Sequence, residues 1–411
     1  MELQKRIEDQ NVHWRGEKMS ALKYRRTIFG ELWKDIKIKP MSLITGMRRL
    51  GKSVVMKQMV DKLIEDGVNP KQILFFELWP GEKEEVLEDV LRIFQKEVCN
   101  QQERRYIFLD EIQYVKNYEV VLKDWYDRFE DIKFVLTGSF SLLYKKDARD
   151  SLAGRYLDYQ IFPLSFREYR EMKGEVWKDD EVLDKRMRQG LADSLNYDFR
   201  NFLINGRLPE IINYPTDRVA NYIEAMKNQI MTQDVFNYFE IEKQSVLLSL
   251  FRYIVKNNGG MVSIDVLARS LGVTRVTVEQ YIKILKLMGL IYMVYNSNDP
   301  LKIDNVAKKI YVSSFFSNDE SLDNLGTLVE SYVLERMLEE KKQVTFYRKR
   351  DKELDFLVVK EKKAYEVKFS HKIDEVNKYV KLADKLKYKL EFITLDQLNV
   401  GEIECMPACL R

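Results

Sequence analysis

The sequence predicts an α/β protein with several domains, and three observations support this prediction. Short apolar segments alternate with amphipathic helical segments across residues 21–170, which is the pattern of a parallel β-sheet covered by helices. A mixed pattern of strands and helices returns across residues 316–411. The chain has 411 residues, which is too long for a single hydrophobic core. We therefore expect an α/β region toward each end of the chain, with helical segments between them.

The residue types present argue against several classes of site. The cysteines, Cys99, Cys405 and Cys409, form no CxxC pair, so neither a disulfide framework nor a zinc site is expected. The chain has two histidines, His13 and His371, so a histidine-based hydrolase is not expected and metal ligands must be mainly carboxylates. The net charge is +3, so any nucleic-acid surface must be local.

We expect a cytoplasmic protein without membrane contact. No apolar segment reaches the roughly 18 residues that a membrane-spanning helix needs. The first residues, Met1 to Lys5, lack the apolar stretch of a signal peptide. Residues 1–20 are polar and are predicted to form a loose or helical lead-in.

The first α/β region contains a candidate phosphate-binding loop. Its five predicted strands are residues 42–45, 73–77, 106–109, 134–137 and 159–162. The first strand leads into the pattern GxxxxGK[ST] and then into an amphipathic helix, which is the context in which this pattern binds nucleotide phosphates. We predict a site for ATP or GTP in which Lys52 contacts the β- and γ-phosphates and Ser53 is a ligand of Mg²⁺. The predicted binding residues are Gly46, Met47, Arg48, Arg49, Leu50, Gly51, Lys52, Ser53 and Val54.

Two later strands end in polar residues that complement this loop. Asp110 and Glu111 follow the apolar segment 106–109, so Asp110 is predicted beside the metal and Glu111 is predicted to polarise the attacking water. The next strand ends in Thr137 and Ser139, and either hydroxyl can sense the γ-phosphate or hold the water. Our candidate for that role is Ser139, and helix capping is the alternative.

These motifs together resemble the AAA+-like ATPases of archaea and bacteria. The resemblance rests on residues 46–53, Leu-Asp-Glu-Ile-Gln at 109–113, Leu-Thr-Gly-Ser at 136–139, Leu-Ala-Gly-Arg at 152–155 and Phe-Pro-Leu-Ser-Phe-Arg-Glu-Tyr at 162–169. It implies an ATPase that assembles as a homo-oligomer, in which Arg155, or Arg149 in its place, acts on the nucleotide of a neighbouring subunit. The alternative is that Arg155 pairs with a carboxylate of its own subunit.

Residues 241–300 show the pattern of a helix-turn-helix with a wing. Helical periodicity covers 245–256 and 263–271, the Gly272–Val273 turn follows, and Thr274 can cap a third helix. A strand at 289–295 then starts the wing. The exposed face of the third helix is predicted to contact DNA through Arg275, Thr277, Gln280 and Lys283. The alternative is a protein-docking module, and Glu279 on the same helix would repel phosphate.

The C-terminal region contains two carboxylates and a lysine on adjacent predicted strands. Asp355 lies in the strand 353–359, and Glu366 and Lys368 lie in the strand 363–369. The two carboxylates can meet across a hairpin and hold Mg²⁺ or Mn²⁺, and the lysine can position or activate water. The alternative is an ion-pair ladder on the sheet surface.

This arrangement resembles the PD-(D/E)XK nucleases, although Leu354 stands where the pattern has proline. The resemblance implies that Glu330, on a preceding helix, joins Asp355 and Glu366 as a metal ligand and that Lys368 is catalytic. A basic helix then follows the motif and could hold a nucleic-acid backbone through Lys372, Lys378, Lys381, Lys385 and Lys387.

The complete prediction divides the chain into five regions. Residues 1–20 are the lead-in, 21–170 the P-loop ATPase core, 171–240 a helical lid, 241–315 a winged helix and 316–411 a restriction-endonuclease-like domain. The predicted function is an ATPase that acts on or with DNA and carries a metal-dependent nuclease tail. One alternative is a nucleotide-driven signalling or defence switch whose C-terminal region only binds a partner. The other is a protein-remodelling ATPase.

Overall fold

The computed structural model divides the chain into two compact units, an N-terminal unit of Met1–Phe162 and a C-terminal unit of Pro163–Arg411. The structure describes residues 2–99, 103–138, 152–175, 185–239, 241–297, 308–316, 325–368, 373–395, 399–400 and 403–410.

The N-terminal unit is built on a five-stranded parallel sheet whose strands follow in space in the order β2-β3-β4-β1-β5. The strands β1, β3 and β4 are buried along their whole length, which is why they appear in the sequence as continuous apolar runs. The strands are β1 (Met41–Thr45), β2 (Ile73–Glu77), β3 (Arg105–Asp110), β4 (Ile132–Gly138) and β5 (Tyr156–Gln160).

Helices cover this sheet and complete its core. They are α1 (Glu2–Gln10), α2 (Ile28–Lys34), α3 (Lys52–Glu65), α4 (Glu84–Ile93) and α5 (Tyr118–Arg128). The first four predicted strands agree with β1 to β4, but β5 begins at Tyr156 and ends at Gln160, so the prediction placed it about three residues late. The displaced prediction followed the apolar pair Ile161–Phe162, which is buried just beyond the strand.

The N-terminal residues belong to this unit. Asn11, just after α1, pairs with the edge of β2 through its side chain, which donates to the carbonyl of Phe75 at 2.8 Å and accepts from its N–H at 2.7 Å. The Asn11 amide therefore satisfies backbone groups that an edge strand would otherwise leave open. The predicted lead-in is thus helical in its first half and attached to the sheet.

The C-terminal unit combines helices with a second sheet. Its helices are α6 (Phe166–Met172), α7 (Lys185–Asn205), α8 (Thr216–Gln229), α9 (Val235–Tyr238), α10 (Gln244–Lys256), α11 (Ile264–Leu271), α12 (Arg275–Leu287), α13 (Leu325–Glu339) and α14 (Ile373–Leu386). Its strands are β6 (Met261–Val262), β7 (Ile291–Asn296), β8 (Lys308–Val312), β9 (Val344–Lys349), β10 (Lys352–Val358), β11 (Lys363–Lys368), β12 (Lys389–Thr394), β13 (Asn399–Val400) and β14 (Ile403–Pro407).

These nine strands form one sheet in the order β13-β14-β12-β11-β10-β9-β7-β8-β6. The strands β6 to β8 lie within the predicted range 241–315 and the others within 316–411, so a single sheet crosses that predicted boundary. The junction is a short parallel pairing of β7 with β9 at Tyr295–Thr345 and Asn296–Phe346. The prediction named no strand at the positions of β6, β8, β9, β13 and β14, none of which carries a long apolar run.

A buried ionic group ties α13 to the rest of this unit. Arg207 is fully buried, forms an ion pair with Glu335 and donates to the carbonyl of Leu164 at 2.6 Å. Glu335 also accepts from the Ser313 hydroxyl at 2.9 Å and the Ser314 N–H at 3.0 Å. Removing one partner of such a buried pair is strongly destabilising, so we interpret this ionic group as structural.

Within the described ranges, no helix has the length and apolarity that crossing a membrane requires.

Candidate functional site

The loop at residues 46–53 joins the end of β1 to the start of α3, and two glycines shape it. A Cβ on Gly46 would lie 2.4 Å from Ile161 Cγ2 and 2.8 Å from the Ile161 carbonyl oxygen, so this position excludes any side chain. Gly51 has φ of 92°, in the left-handed region that glycine adopts without strain. The loop therefore leads into the N-terminus of α3, and the partial positive charge of a helix N-terminus favours an anion.

Lys52 is buried at the first position of α3. Its ammonium donates to the carbonyl oxygens of Gly46 at 3.1 Å and Met47 at 3.0 Å, so the side chain folds back over the loop. Carbonyl contacts of this kind can be exchanged for phosphate oxygens because phosphate carries full negative charge.

Asp110 ends β3 beside this loop and is buried. Burial raises the pKa of Asp110, and hydrogen bonds from the hydroxyls of Ser53 and Thr137 act against that rise. The predicted Mg²⁺ ligands Ser53 and Asp110 are thus brought together. A hydroxyl next to a carboxylate is a donor set that Mg²⁺ accepts, so the residues present fit that ion.

Thr137 also holds the residue that follows Asp110. The Glu111 N–H donates to the Thr137 hydroxyl oxygen at 3.0 Å, and Glu111 adopts a left-handed conformation with φ of 55°. The side-chain amide of Gln113 donates to the Glu111 carboxylate. Between Thr137 and Ser139 the prediction preferred Ser139, which lies outside the described residues, whereas Thr137 contacts both acidic residues.

Two further side chains at this site were missed by sequence reasoning. The buried guanidinium of Arg26 donates to the carbonyl of Leu50 at 2.8 Å and to that of Phe162 at 2.9 Å, which fixes the phosphate-binding loop from outside. Glu77 is in register with Asp110 across β2 and β3, and partial burial together with the Asp110 charge raises the pKa of Glu77. The sequence could have indicated Glu77, because this residue ends a predicted strand, but no sequence feature indicated Arg26.

Arg155 forms an ion pair with Asp127 of its own chain. Its guanidinium makes two hydrogen bonds of 2.9 Å to the Asp127 carboxylate, and both side chains are partly exposed. This pairing is the alternative that the sequence left open, and the action of Arg155 on a neighbouring subunit stays a prediction. The reserve candidate, Arg149, lies outside the described residues.

The predicted DNA-contacting residues lie on α12, which Thr274 caps by accepting from the Thr277 N–H at 3.2 Å. Gln280 and Lys283 are exposed, and Thr277 is half-buried. The Arg275 guanidinium pairs with Glu279 at 2.9 Å and Asp265 at 3.3 Å. The expected repulsive carboxylate, Glu279, is therefore bound to the first of the predicted contact residues.

The C-terminal carboxylates meet across the β10–β11 hairpin as the sequence predicted. Phe356 pairs with Tyr365, which places Asp355 opposite Glu366. The Asp355 carboxylate accepts from the Val367 N–H at 3.0 Å, and the Asp355 N–H donates to Glu366 at 3.4 Å.

Lys368, Glu366 and Glu330 each contact a neighbouring side chain. Lys368 pairs with Glu366 at 2.8 Å and donates to the Tyr379 hydroxyl, and the Tyr311 hydroxyl donates to Glu330 at 3.0 Å. Burial raises the pKa of Glu330 and of Glu366 to about 8, and the Asp355 charge adds to both shifts.

A lysine that the sequence analysis did not single out lies in the same group. Lys309 on β8 is buried, and its ammonium is 2.5 Å from Glu353 Oε1 and 3.4 Å from Asp355 Oδ1. In the described part of the chain, no three His, Cys, Asp or Glu side chains are placed to hold a metal ion together. The predicted ligands Glu330, Asp355 and Glu366 are thus neighbours that the structure does not arrange as a metal site. The residues present do not fit a divalent ion at this position.

Two segments match known protein families. Residues 39–170 match a family described as AAA domain, and residues 196–314 match a domain of unknown function (DUF8612). The second match begins inside the predicted lid and ends at the predicted boundary of the winged helix, so one family spans parts of both predicted regions.

Similar proteins occur in bacteria and archaea. The chain is 25% identical over 259 residues to an uncharacterized protein of Haemophilus influenzae, with 61% of each chain covered. It is 25% identical to one uncharacterized protein of Methanocaldococcus jannaschii, covering 62% of this chain and 57% of that protein. The chain thus spans between 57% and 61% of the length of these two relatives. A second M. jannaschii protein is 25% identical over 89% of this chain and 83% of its own length.

Solved structures with a similar arrangement include a Walker-type ATPase of Pyrococcus abyssi, with a TM-score of 0.47, 14% identity, and 73% of this chain and 99% of that chain covered. Another is the Aeropyrum pernix ORC1 protein in complex with DNA, with a TM-score of 0.34, 13% identity, and 80% of this chain and 98% of that chain covered.

Proposed function

We propose that this chain, whose residues 39–170 form an AAA-type P-loop ATPase domain, hydrolyses ATP in order to act on or with DNA. One observation carries the ATPase half of the proposal. The hydroxyl of Ser53, next to Lys52 at the start of α3, and the hydroxyl of Thr137 both donate to the buried Asp110 carboxylate at the end of β3. A P-loop enzyme needs this combination of a lysine, a hydroxyl and a carboxylate to bind a metal–nucleotide complex.

Each side chain has a defined part in this proposal. The N–H groups at the start of α3 and the Lys52 ammonium bind the phosphates, and Ser53 and Asp110 hold the ion. Magnesium, when bound with ATP, neutralises phosphate charge. Glu111 orients and deprotonates the attacking water, and Thr137 positions Glu111 and Asp110 through the two hydrogen bonds described above.

The DNA half of the proposal rests on the arrangement of α10, α11 and α12 with the β7–β8 hairpin. A helix, a short helix, a capped third helix and a hairpin follow each other in the order of a winged helix-turn-helix. The exposed Gln280 and Lys283 side chains offer an amide and a cation to a nucleic acid. Arg275 can join them by exchanging its carboxylate partners for phosphate.

ATP hydrolysis by two variants tests the site. Lys52→Ala should abolish ATP binding, because the helix N-terminus then lacks its cation. Glu111→Gln should retain binding and lower the turnover rate by about 10³-fold, because the amide cannot accept the proton of the water. Phosphate release and binding of a fluorescent nucleotide measure the two effects. Wild-type turnover in both variants contradicts the assignment.

A second experiment tests the DNA half. Hydrolysis should rise when duplex, forked or single-stranded DNA is added, and Lys283→Ala should weaken DNA binding and reduce its salt slope by about one. Lys34→Ala, an exposed lysine on α2, is the matched control and should leave the DNA dependence unchanged. If no form of DNA changes the rate of ATP hydrolysis, the DNA half of the proposal is wrong.

Assembly is part of the same proposal. A homo-oligomer in which Arg155 or Arg149 acts across the subunit interface requires Arg155 to leave Asp127, a partly exposed pair that water screens. Turnover per chain should then rise with protein concentration, and a mixture of Lys52→Ala and Arg155→Ala chains should regain activity. A rate that is independent of concentration supports the local role of Arg155.

One set of contacts favours a second candidate, a nucleotide-driven switch whose C-terminal region binds a partner without cleaving it. Both Lys309 and Lys368 are paired with carboxylates of the C-terminal cluster, which is the pattern of a fixed ionic group. In this candidate, ATP changes the assembly state and turnover is slow. Size measurement with and without ATP distinguishes it from the first.

A further inference from the structure

The C-terminal unit contains a carboxylate cluster, formed by Glu330, Glu353, Asp355 and Glu366. A lysine side chain of the same unit provides a cation in this cluster. Lys309 reaches it from β8, although 46 residues separate Lys309 from Asp355 in the sequence. Glu353 and Asp355 are two residues apart on β10. The Lys309 ammonium contacts both of them.

The cluster has further partners that limit its negative charge. Arg348 Nη1 is 3.2 Å from Glu353 Oε2, and Lys368 pairs with Glu366 at 2.8 Å. Glu330 accepts from the Tyr311 hydroxyl. The carboxylates are therefore engaged by two lysines, an arginine and a hydroxyl of the same unit.

A divalent ion and Lys309 compete for the same oxygen atoms. Mg²⁺ and Mn²⁺ need several oxygen ligands at about 2.0–2.6 Å, and the central oxygens here belong to Asp355 and its neighbours. The ammonium lies 2.5 Å from one of them and 3.4 Å from another. Binding of an ion would expel a buried ammonium from its ion pairs, which is costly because the charge would be left uncompensated.

We infer that Lys309 takes the place of a divalent metal in this cluster, so that the cluster binds neither Mg²⁺ nor Mn²⁺ and the C-terminal region has no metal-dependent nuclease activity. The resemblance to PD-(D/E)XK nucleases then extends to the positions of Asp355, Glu366 and Lys368 but not to their use of metal. Removal of the ammonium alone should release the Glu353 and Asp355 oxygen atoms and raise the affinity of the cluster for Mn²⁺.

Mn²⁺ binding by the full-length chain tests this inference. Free Mn²⁺ is measured by electron paramagnetic resonance without nucleotide, and every protein carries Asp110→Asn so that the phosphate-binding loop adds no carboxylate. The parent should show no Mn²⁺ site that depends on Asp355. Lys309→Met should bind one Mn²⁺ at least about tenfold more tightly than the parent, and adding Asp355→Asn should remove that gain.

The opposite pattern overturns the inference: a parent that binds Mn²⁺ and loses the ion on Asp355→Asn. If Lys309→Met does not fold, the comparison of the parent with its Asp355→Asn form is sufficient. Equal Mn²⁺ binding by these two proteins supports the inference. A labelled duplex incubated with Mn²⁺ gives a second readout. Cleavage by the wild type that disappears in Lys368→Ala also overturns it. The ATPase proposal is unaffected by either result, since it rests on the other unit.

Discussion

Lys52 in the N-terminal unit and Lys309 in the C-terminal unit are both buried lysines beside buried carboxylates, but their contacts differ. Lys52 donates to carbonyl oxygens of its own loop, and the neighbouring Asp110 accepts from two hydroxyls. Lys309 contacts two carboxylates directly. Neutral partners can be replaced by a charged ligand at small cost, whereas an ion pair is already satisfied. The first arrangement suits a binding site and the second suits a fixed structural group.

The largest expected difference is in stability. Lys309→Met should lower the free energy of unfolding of the C-terminal unit by about 3–5 kcal/mol, because the Asp355 and Glu353 charges lose a buried partner. Lys52→Met should cost about 1 kcal/mol, because the hydrogen bonds it removes are to neutral carbonyls. Thermal unfolding followed by far-ultraviolet circular dichroism measures both.

The neighbouring Lys308 provides a matched control for the first variant. It lies on the same strand, with its ammonium 5.6 Å from the Tyr295 ring centre. Lys308→Met should leave stability within about 1 kcal/mol of the wild type, since a half-exposed charge near a ring contributes little. Equal losses for Lys308→Met and Lys309→Met, or for Lys52→Met and Lys309→Met, would break the comparison between the two lysines.

Acid should change the stability of the two units in opposite directions, and His13 is the residue responsible in the N-terminal unit. Burial lowers the pKa of His13 to about 4, against 6.5 for an ordinary histidine. Because the unfolded chain binds the proton first, the N-terminal unit loses stability as the pH falls from about 6.5 to 4, by about 3 kcal/mol in total. Glu330 and Glu366 act in the opposite direction, since a carboxyl with a raised pKa favours the folded state more as the pH falls.

Tryptophan fluorescence is suited to this measurement, because four of the five tryptophans, Trp14, Trp33, Trp79 and Trp125, lie in the N-terminal unit. Denaturant unfolding at pH 7 and pH 4 should show the loss for the wild type. In His13→Gln the additional loss of about 3 kcal/mol should be absent. The same pH dependence in both proteins would show that His13 is not protonated on unfolding in this range.

The sequence predicted the two sites unequally, for a physical reason. The phosphate-binding loop is a local feature, since residues 46–53 and the strand and helix around them are contiguous, and the structure has β1, the loop and α3 where they were predicted. The pairing of Asp355 with Glu366 was also predictable, because a hairpin connects them. Lys309 and Arg26 were not predictable, because the fold brings them to their sites from 46 and 24 residues away.

The same reasoning explains the errors in the fold. The omitted strand β9 mixes Thr345, Arg348 and Lys349 with its apolar residues, and its pairing with β10 and β7 supplies the order that its own pattern does not indicate. The choice between Thr137 and Ser139 was also undetermined by the sequence. Both residues follow the same strand, and the contact with Asp110 depends on the register of β3 and β4, which the chain order alone does not give.

The smallest expected effect concerns the hydroxyl of Thr137. Thr137→Val preserves the shape of the side chain and removes the hydrogen bonds to Asp110 and to the Glu111 N–H. Because such hydrogen bonds contribute on the order of 1 kcal/mol each, we expect turnover to fall by about tenfold while ATP affinity changes little. Thr45→Val is the matched control, since its hydroxyl donates to Asp158 at 3.1 Å on the adjacent strand β5. If Thr45→Val lowers turnover as much as Thr137→Val, the hydroxyls around Asp110 have no special part in the reaction. A loss confined to Thr137→Val would instead show that an uncharged hydroxyl holds the acidic pair of the N-terminal unit in place, whereas ion pairs hold the carboxylates of the C-terminal unit.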